Sequence, residues 1–494
     1  MRPHPSNLMA ILLAAVLHAQ EPALPQGFGG QSPEPALPSG LGQEPRPEPG
    51  EPGLPAGLGA TTPQEPGLPP GLGEPPRHAA ADAVAEPRWW DDFDLRGFVD
   101  VRAGARLRAD PRERTGSLGE LRLRLEAERQ FGGFTFAGKG DVVFDGLESS
   151  WTPDLETGRG FFDLRTGYVA STPLPWLDLK LGRQVLTWGT GDLLFVNDLF
   201  PKDWVSFFVG RDDEYLKAPS DALRVGLFSD VVAVDLVYTP RFDADRFVRD
   251  ERLSFFDPLQ GSQVGRGEVA DPLVPDDWFQ DDELALRLHR NFGSVELAGY
   301  GYLGRWKSPG GFDPGTGRAL FPRLAVYGAS ARGQLSGGIA NLELGWYESR
   351  QDDGGADPFV DNSQLRVLAG YERDVPELAE SLTIGAQYYL EAMLQHDDYL
   401  RTLPAGVPVR DELRHVVTLR VTKLLLEQRL RLSLFGYFSP SDHDVHLRPS
   451  ASYAVDDRWT VTVGANVFAG EDDFTFFGQF DRNTNVYAAV RFRF

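Results

Sequence analysis

The chain contains no cysteine. That absence excludes disulfides, thiolate zinc sites, cysteine nucleophiles and an N-terminal lipid-modified cysteine. No apolar stretch reaches the eighteen or so residues a membrane helix needs, so helical spans are excluded as well. Basic residues are in deficit. Lys and Arg number 49 against 72 Asp and Glu in 494 residues, a formal net charge of −23. A general nucleic-acid binder needs a basic surface, and that class is set aside. The bulk numbers fit a soluble acidic protein, but the residue pattern does not.

Residues 1–19 read as a secretory signal, with Arg2, a short apolar run from Leu8 to Leu17, and Leu17-His18-Ala19 ahead of a cleavage point. Residues 20–88 are Pro/Gly-rich and carry one phrase four times: EPALPQGFG (21–29), EPALPSGLG (34–42), EPGLPAGLG (51–59) and EPGLPPGLG (65–73). The irregular spacing excludes a fixed-period solenoid. Proline removes donors and glycine adds chain entropy, so this segment cannot order itself by burying apolar surface. It is expected to be a disordered, extended tether. It serves either as a ligand for a periplasmic partner or as a spacer.

From residue 89 to 494 the chain falls into segments of period two. Residues 94–108 set Leu95, Val99, Val101, Ala103, Ala105 and Leu107 against Arg96, Asp100, Arg102 and Arg106. Residues 118–129 set Leu121, Leu123, Leu125 and Ala127 against Arg122, Arg124, Glu126 and Glu128, and Leu430, Leu432 and Leu434 alternate with Arg429, Arg431 and Ser433. Strand spacing separates these classes, whereas helical spacing mixes them. Eighteen such segments can be placed, with 474–480 and 204–210 as possible additions. Pro449 is awkward inside one of them. Three features favour a barrel in lipid over a sheet in water. The strands have spanning length. Short connections alternate with mostly longer ones. Tryptophan avoids strand centres: Trp89, Trp90, Trp176 and Trp459 mark the short-turn side, Trp188, Trp306 and Trp346 the long-loop side, and Trp151, Trp204 and Trp278 fall in loops.

The last segment sends Val486, Ala488, Val490, Phe492 and Phe494 to one side and ends the chain on an aromatic. Phe492 and Phe494 resemble the C-terminal signal that outer-membrane barrels present to the assembly machinery. The expected fold is therefore an all-β, antiparallel, up-and-down transmembrane barrel of about 18 strands in the outer membrane of a two-membrane bacterium, its tail in the periplasm.

A barrel of this size encloses water rather than filling with side chains. Its inward positions near closure are Arg96, Arg102, Arg106, Arg122, Arg124, Arg414, Arg420, Arg429, Arg431, Arg448, Arg491 and Arg493, with Asp100, Glu126 and Glu128 as the matching acids. Such a wall either attracts anions or braces the barrel by pairing sideways. The connection 187–220, third on the long side, has an apolar centre: Leu193, Leu194, Phe195, Val196, Leu199, Phe200, Trp204, Phe207 and Phe208. Exposed to water it would be costly. It is expected to fold into the barrel mouth and turn Asp192, Asp198, Asp203, Asp212, Asp213 and Glu214 towards the basic wall. The alternative is an external lid or oligomer contact.

Leu181-Gly182-Arg183-Gln184, then Trp188-Gly189 and Asp192-Leu193-Leu194, resembles the Gly-Arg-Gln…Trp/Tyr-Gly-Asp phrase of outer-membrane barrels of the alginate-export type. It also resembles a wider barrel family encoded beside hydrophobe exporters. The first resemblance implies an eighteen-strand channel with an Arg-rich lumen for an anionic polymer. The second implies traffic of lipid-like molecules. Thr190 and Gly191 interrupt the phrase, and the tail repeats belong to neither family. What carries over is Gly182, Arg183, Gln184, Trp188, Gly189 and Asp192 as a strand-to-loop element.

Enzymatic readings fare poorly. His446 and Ser450 share a face but stand four residues apart on one strand, roughly 13 Å, too far for a general base. His289 and His415 show no evident Ser or carboxylate partner. Asp352, Asp353, Asp357 and Asp361 lack EF-hand spacing and read as a solvated acidic loop. Gly310 to Gly317 lacks the preceding strand and following helix of a phosphate cradle. No cofactor or metal is called for. The expectation is a channel or export conduit for anionic or amphiphilic solutes, gated by loop 187–220. The alternative is a plugged barrel that anchors the tail for a cell-wall or inner-membrane partner. Solute, oligomeric state and direction of flow are not legible.

Overall fold

A computed structural model describes residues 94–249, 252–258, 260–268 and 271–494. The signal, the tail repeats, Trp89 and Trp90 lie outside the described residues. Eighteen strands form one closed sheet. They are β1 (Asp94–Arg106), β2 (Gly116–Phe131), β3 (Phe134–Asp145), β4 (Phe162–Leu174), β5 (Leu177–Val185) and β6 (Pro219–Phe228). Next come β7 (Ala233–Thr239), β8 (Glu283–Phe292), β9 (Val295–Arg305), β10 (Arg323–Leu335), β11 (Gly338–Ser349) and β12 (Gln364–Asp374). The last are β13 (Leu382–Met393), β14 (Leu413–Leu425), β15 (Leu430–Ser439), β16 (Asp444–Ala454), β17 (Trp459–Gly470) and β18 (Asn485–Arg493). Each pairs antiparallel with its chain neighbours. The ring closes through β1 and β18, where Val101 faces Val490 and Asp100 faces Arg491. The final residue joins the seam, Gly97 and Phe494 exchanging backbone hydrogen bonds of 3.1 and 3.0 Å.

The connections sort by side. Those at 132–133, 175–176, 229–232, 293–294, 336–337, 375–381, 426–429 and 455–458 are short. The opposite side carries 107–115, 146–161, 186–218, 240–282, 306–322, 350–363, 394–412, 440–443 and 471–484. The turn at 440–443 is the short exception there. Two small hairpins decorate the loops, 255–257 with 262–264 and 311–313 with 318–320, the latter built from the Gly310 to Gly317 string.

The extra strands weighed from the sequence do not form. Trp204–Val209 is a one-and-a-half-turn helix, α1, capped by Asp203 and ended by Gly210 in the left-handed region. Residues 478–483 form a 3₁₀ turn. Pro449 does lie inside β16. Its ladder to β17 lapses between Leu447 and Ser450, where the proline has no N–H to donate.

The two faces of the wall differ as period two requires. Leu95, Val101, Leu121, Leu125, Phe136, Leu181, Leu303, Leu342, Val463 and Val490 stand exposed on the outside. A water-soluble sheet would cover such a band, whereas hydrocarbon solvates it. Trp176, Trp346 and Trp459 belong to this outer surface, and Trp459 packs on Phe492 with ring centroids 4.8 Å apart. Trp188, Trp204 and Trp306 do not. They point inward, Trp188 against Phe200 (4.9 Å) and Trp306 stacked on Tyr347 (5.7 Å), because the interior offers an apolar core; for Trp204 that fits the expected inward fold of its loop, whereas the sequence marks Trp188 and Trp306 only as strand ends.

Candidate functional site

The interior is filled at one end and open at the other. Inward side chains on the long-loop half of the wall are buried, among them Glu120, Arg122, Asp163, Tyr302, Tyr347, Tyr389, Thr418, Tyr437, His446 and Asn485. Inward side chains on the short-turn half are only half-buried or exposed: Glu126, Lys139, Lys180, Arg224, His289, Glu296, Arg332, Arg431, Ser452, Thr462 and Arg493. The lumen is thus a chamber open towards the short turns, with a recess of about 660 Å³ beside Thr135, Lys180 and Arg224.

The filling is the connection 186–218, hereafter the strap. Its root is the element singled out in the sequence. Gly182 has φ 124° and lies over the Gly167 carbonyl, a conformation and a closeness that deny a side chain. Arg183 pairs with Asp221 (2.7 Å) and donates to the Leu164 carbonyl (2.9 Å), and Gln184 donates to the Ala222 carbonyl (2.9 Å). The strap then turns inward at Gly189 (φ 79°), which faces the Glu343 carboxylate.

Two poles hold it. One is Glu343 on β11. This single buried carboxylate accepts from the Thr190 amide and hydroxyl, the Gly191 amide (2.7 Å), the Asn197 amide (3.1 Å) and the Asn197 side chain (2.8 Å). No basic side chain pairs with it among the described residues, so strap donors alone solvate the charge. The other pole is basic wall against acidic strap. Arg420 pairs with Asp192. Arg102 and Arg491 hold Asp212, Arg448 holds Asp213 (2.8 Å), and Arg124 holds Glu214 (2.6 Å). Tyr215, next in line, lies under Arg122 (4.4 Å), Arg124 (4.8 Å) and Arg165 (5.3 Å), and its hydroxyl donates to Asp141 (2.9 Å).

Between the poles the strap packs by apolar contact. Val196, Phe207, Phe208, Val209 and Leu216 join Leu368, Tyr389, Val416, Phe435, Tyr437 and Phe468 of the wall and Phe477 and Phe480 of the last loop. A second cluster sets Leu186 and Phe200 among Ala222, Val237, Tyr302, Trp306 and Tyr347. Each fully buried Phe or Leu contributes about 1.5–3 kcal/mol. His446 belongs to this core, stacked on Phe468 (4.2 Å) with its Nε2 against Asn466 (3.2 Å).

Not every expected acid reaches the wall. Asp198 turns back to the strap's own Lys202 (3.1 Å) and Lys217, and Asp203 caps α1 through the Ser206 amide (2.7 Å) and faces Arg246 (3.5 Å). Burial disfavours the Asp198 charge, but the two lysines outweigh it and its carboxyl sits below the ordinary range. Burial pushes the Lys202 ammonium down to about 8 against the pull of Asp198.

The arginines divide likewise. Arg102, Arg122, Arg124, Arg420, Arg448 and Arg491 converge on the strap or on Asp141 and Glu120. Arg106 donates to the Gly116 carbonyl (3.1 Å) and Arg414 pairs with Asp442 (2.6 Å), both near the long loops. Arg96, Arg429, Arg431 and Arg493 rim the short-turn mouth, Arg96 beside Asp94, Arg429 on the Tyr453 hydroxyl (3.0 Å) and Arg493 on Thr460 (3.0 Å). The short list of matching acids was incomplete. Glu120, Asp141 and Glu343 also sit at inward positions, and Glu343, flanked by Leu342 and Leu344, carried the same alternation as its signal. His289 does have carboxylates beside it, Asp235 (3.5 Å) and Glu296 (3.9 Å), because β7, β8 and β9 pair in register there. His415 meets the Tyr388 hydroxyl (2.7 Å). In the acidic loop, Asp352 accepts from the Ala356 and Asp357 amides and Asp361 pairs with Arg410 (2.8 Å).

Fold and lumen together define a porin-like β-barrel with an inward third loop. No protein-family model matches the chain and no curated protein does, so the alginate-export resemblance rests on residues 181–194 alone. Among solved structures the chain is similar to OccAB2 of Acinetobacter baumannii, 9% identical with a TM-score of 0.50, over 82% of this chain and 98% of that one. It is similar to OccAB3 of the same organism at 10% identity and a TM-score of 0.50, over 82% and 99%. At such identities the likeness is one of fold.

Proposed function

We propose that the chain is an outer-membrane conduit for anionic or amphiphilic solutes, closed by the strap 186–218. The observation that carries this reading is how the strap is held. It contributes no strand to the eighteen-strand ladder and is retained by ion pairs, side-chain hydrogen bonds, apolar packing and one backbone bridge to Arg246 in loop 240–282, not to the barrel wall. It can therefore leave without unzipping the barrel. Its departure would uncover Arg102, Arg124, Arg420, Arg448 and Arg491, a basic surface that lowers the entry barrier for anions. Its apolar centre gives an amphiphile a surface to replace.

Planar-bilayer recording of the full chain and of a variant lacking residues 190–214 tests the proposal. The full chain is expected to conduct rarely, and the shortened one steadily with anion preference. Cation preference, or silence of the shortened barrel, rejects it. A second reading, a plugged barrel that anchors residues 20–88 for a periplasmic or cell-wall partner, draws support from the solid packing of the long-loop half. It predicts that silence. Outer-membrane lipid and the assembly machinery, through Phe492 and Phe494, are the partners either reading requires. Phe494 stands exposed at the seam.

A further inference from the structure

The strap's acidic triplet is held differently on its two sides. On the long-loop side it is sealed: Phe207, Phe208 and Val209 are at most 2% exposed, and Arg211 is tied to Glu120 (2.6 Å). On the chamber side it is wet. The side chains of Asp213 and Glu214 keep 54% and 41% of their surface, and Asp212 keeps 32%. Their partners Arg124, Arg448 and Arg491 are far less exposed, at 2%, 11% and 13%. Arg491 also reaches Asp100 (3.1 Å) and packs over Phe98 (4.0 Å), and Arg448 packs over Phe207 (4.1 Å). Arg102 and Arg491 are tied to Asp100 (3.2 and 3.1 Å) and Arg124 to Asp141 (2.7 Å), all on the wall, whereas Arg448 leans on the strap's own Phe207; the three wall-anchored guanidinium groups stay in place and the carboxylates are the exchangeable half of each pair. That is the arrangement of a receptor with a ligand in it.

We infer that Arg102, Arg124, Arg448 and Arg491 form a polycarboxylate receptor open only to the short-turn chamber, in which Asp212-Asp213-Glu214 is the resident ligand. A compact polycarboxylate supplied from that side displaces the triplet and releases the strap. A monocarboxylate does not, because it replaces one pair while the others keep the triplet at high local concentration. The same anion on the long-loop side meets packed phenylalanines and has no path. This inference rests on the conduit reading and adds its trigger and its sidedness.

The test uses the full-length protein inserted in one orientation in a planar bilayer. Tricarballylate is added to one side at a time, with acetate at matched ionic strength as the control. Open probability is expected to rise about tenfold with tricarballylate on the short-turn side and to stay at baseline with acetate or from the long-loop side. The variant Asp212→Asn/Asp213→Asn/Glu214→Gln is expected to open without the anion and to lose the response. An equal response from both sides, an equal response to acetate, or a triple variant that stays closed overturns the receptor. If the strap-deleted barrel conducts while the anion has no sided effect, this inference alone fails. If that barrel is silent, the conduit reading fails with it.

Discussion

At the scale of single residues the strap depends on charges placed where water cannot help them. Glu343 is the sharpest case, since five strap donors converge on its two oxygens. Hydrogen bonds to a charged group are worth about 1.5–3 kcal/mol each. Glu343→Gln keeps the shape but presents an amide NH₂ to donors. It is expected to free the strap's first turn and raise open probability in single-channel records, with the heat-resistant gel mobility of the barrel unchanged. Asp243, in the loop entering β8, is a second case. Burial pushes its carboxyl up to about 7, Lys307 opposing and Glu283, Glu156 and Asp221 adding to the rise. A free aspartate titrates near 3.9. The folded state therefore binds this proton more tightly than the unfolded one. The stabilisation is complete below about pH 4 and is lost as pH rises through about 7. Thermal midpoints of the detergent-solubilised protein between about pH 5 and 8 are expected to fall for the native chain and to fall less for Asp243→Asn. Parallel pH curves would reject this account.

Among elements, the strap is an autonomous lever on a fixed ring, and its motion can be arrested chemically. A Cβ built at Gly345 would lie 2.9 Å from Val196 Cγ1 across the strap–wall gap. That spacing suits a disulfide. In a chain without native cysteine, Val196→Cys/Gly345→Cys is expected to form one cross-link, to hold the conduit shut when oxidised, and to restore wild-type opening with reductant. Opening that ignores the redox state would show that this part of the strap does not move. The elements themselves were legible from residue order. Alternation located all eighteen strands because hydrocarbon on one face and water on the other impose opposite demands on neighbouring positions. An inward course for the strap was one of two ways for its phenylalanines to find apolar cover, the other being an external lid or oligomer contact, and Phe207 and Phe208 lie against the wall. Its partners were not legible. Whether Asp198 meets Lys202 or an arginine across the lumen depends on a chain path that no periodicity encodes. Trp188 and Trp306 were misplaced for the same reason, because the end of a strand borders either lipid or an interior core and sequence position does not distinguish them.

For the molecule as a whole, the outward band and the wet chamber make opposite predictions for one substitution. Arginine on the hydrocarbon face costs about 2–4 kcal/mol near the bilayer centre. Val101→Arg is expected to cut folding yield into liposomes strongly. Ser452→Arg, on the chamber wall beside Arg431 and Thr462, is expected to fold as well as the native chain. Similar losses at both positions would contradict the assignment of faces.

The inner core sets a timetable for biogenesis. Its members come from β2, from the strap, from Leu253 in loop 240–282, and from β12 to β15, β17 and the last loop, so no early stretch of polypeptide holds enough of it to nucleate alone. Phe207 and Phe208 of the strap must wait, unshielded, until the final strands arrive. Sealing the cylinder and condensing its contents then become a single cooperative event, and a nascent chain stalled before β16 would be a target for holdases and proteases rather than a half-built barrel.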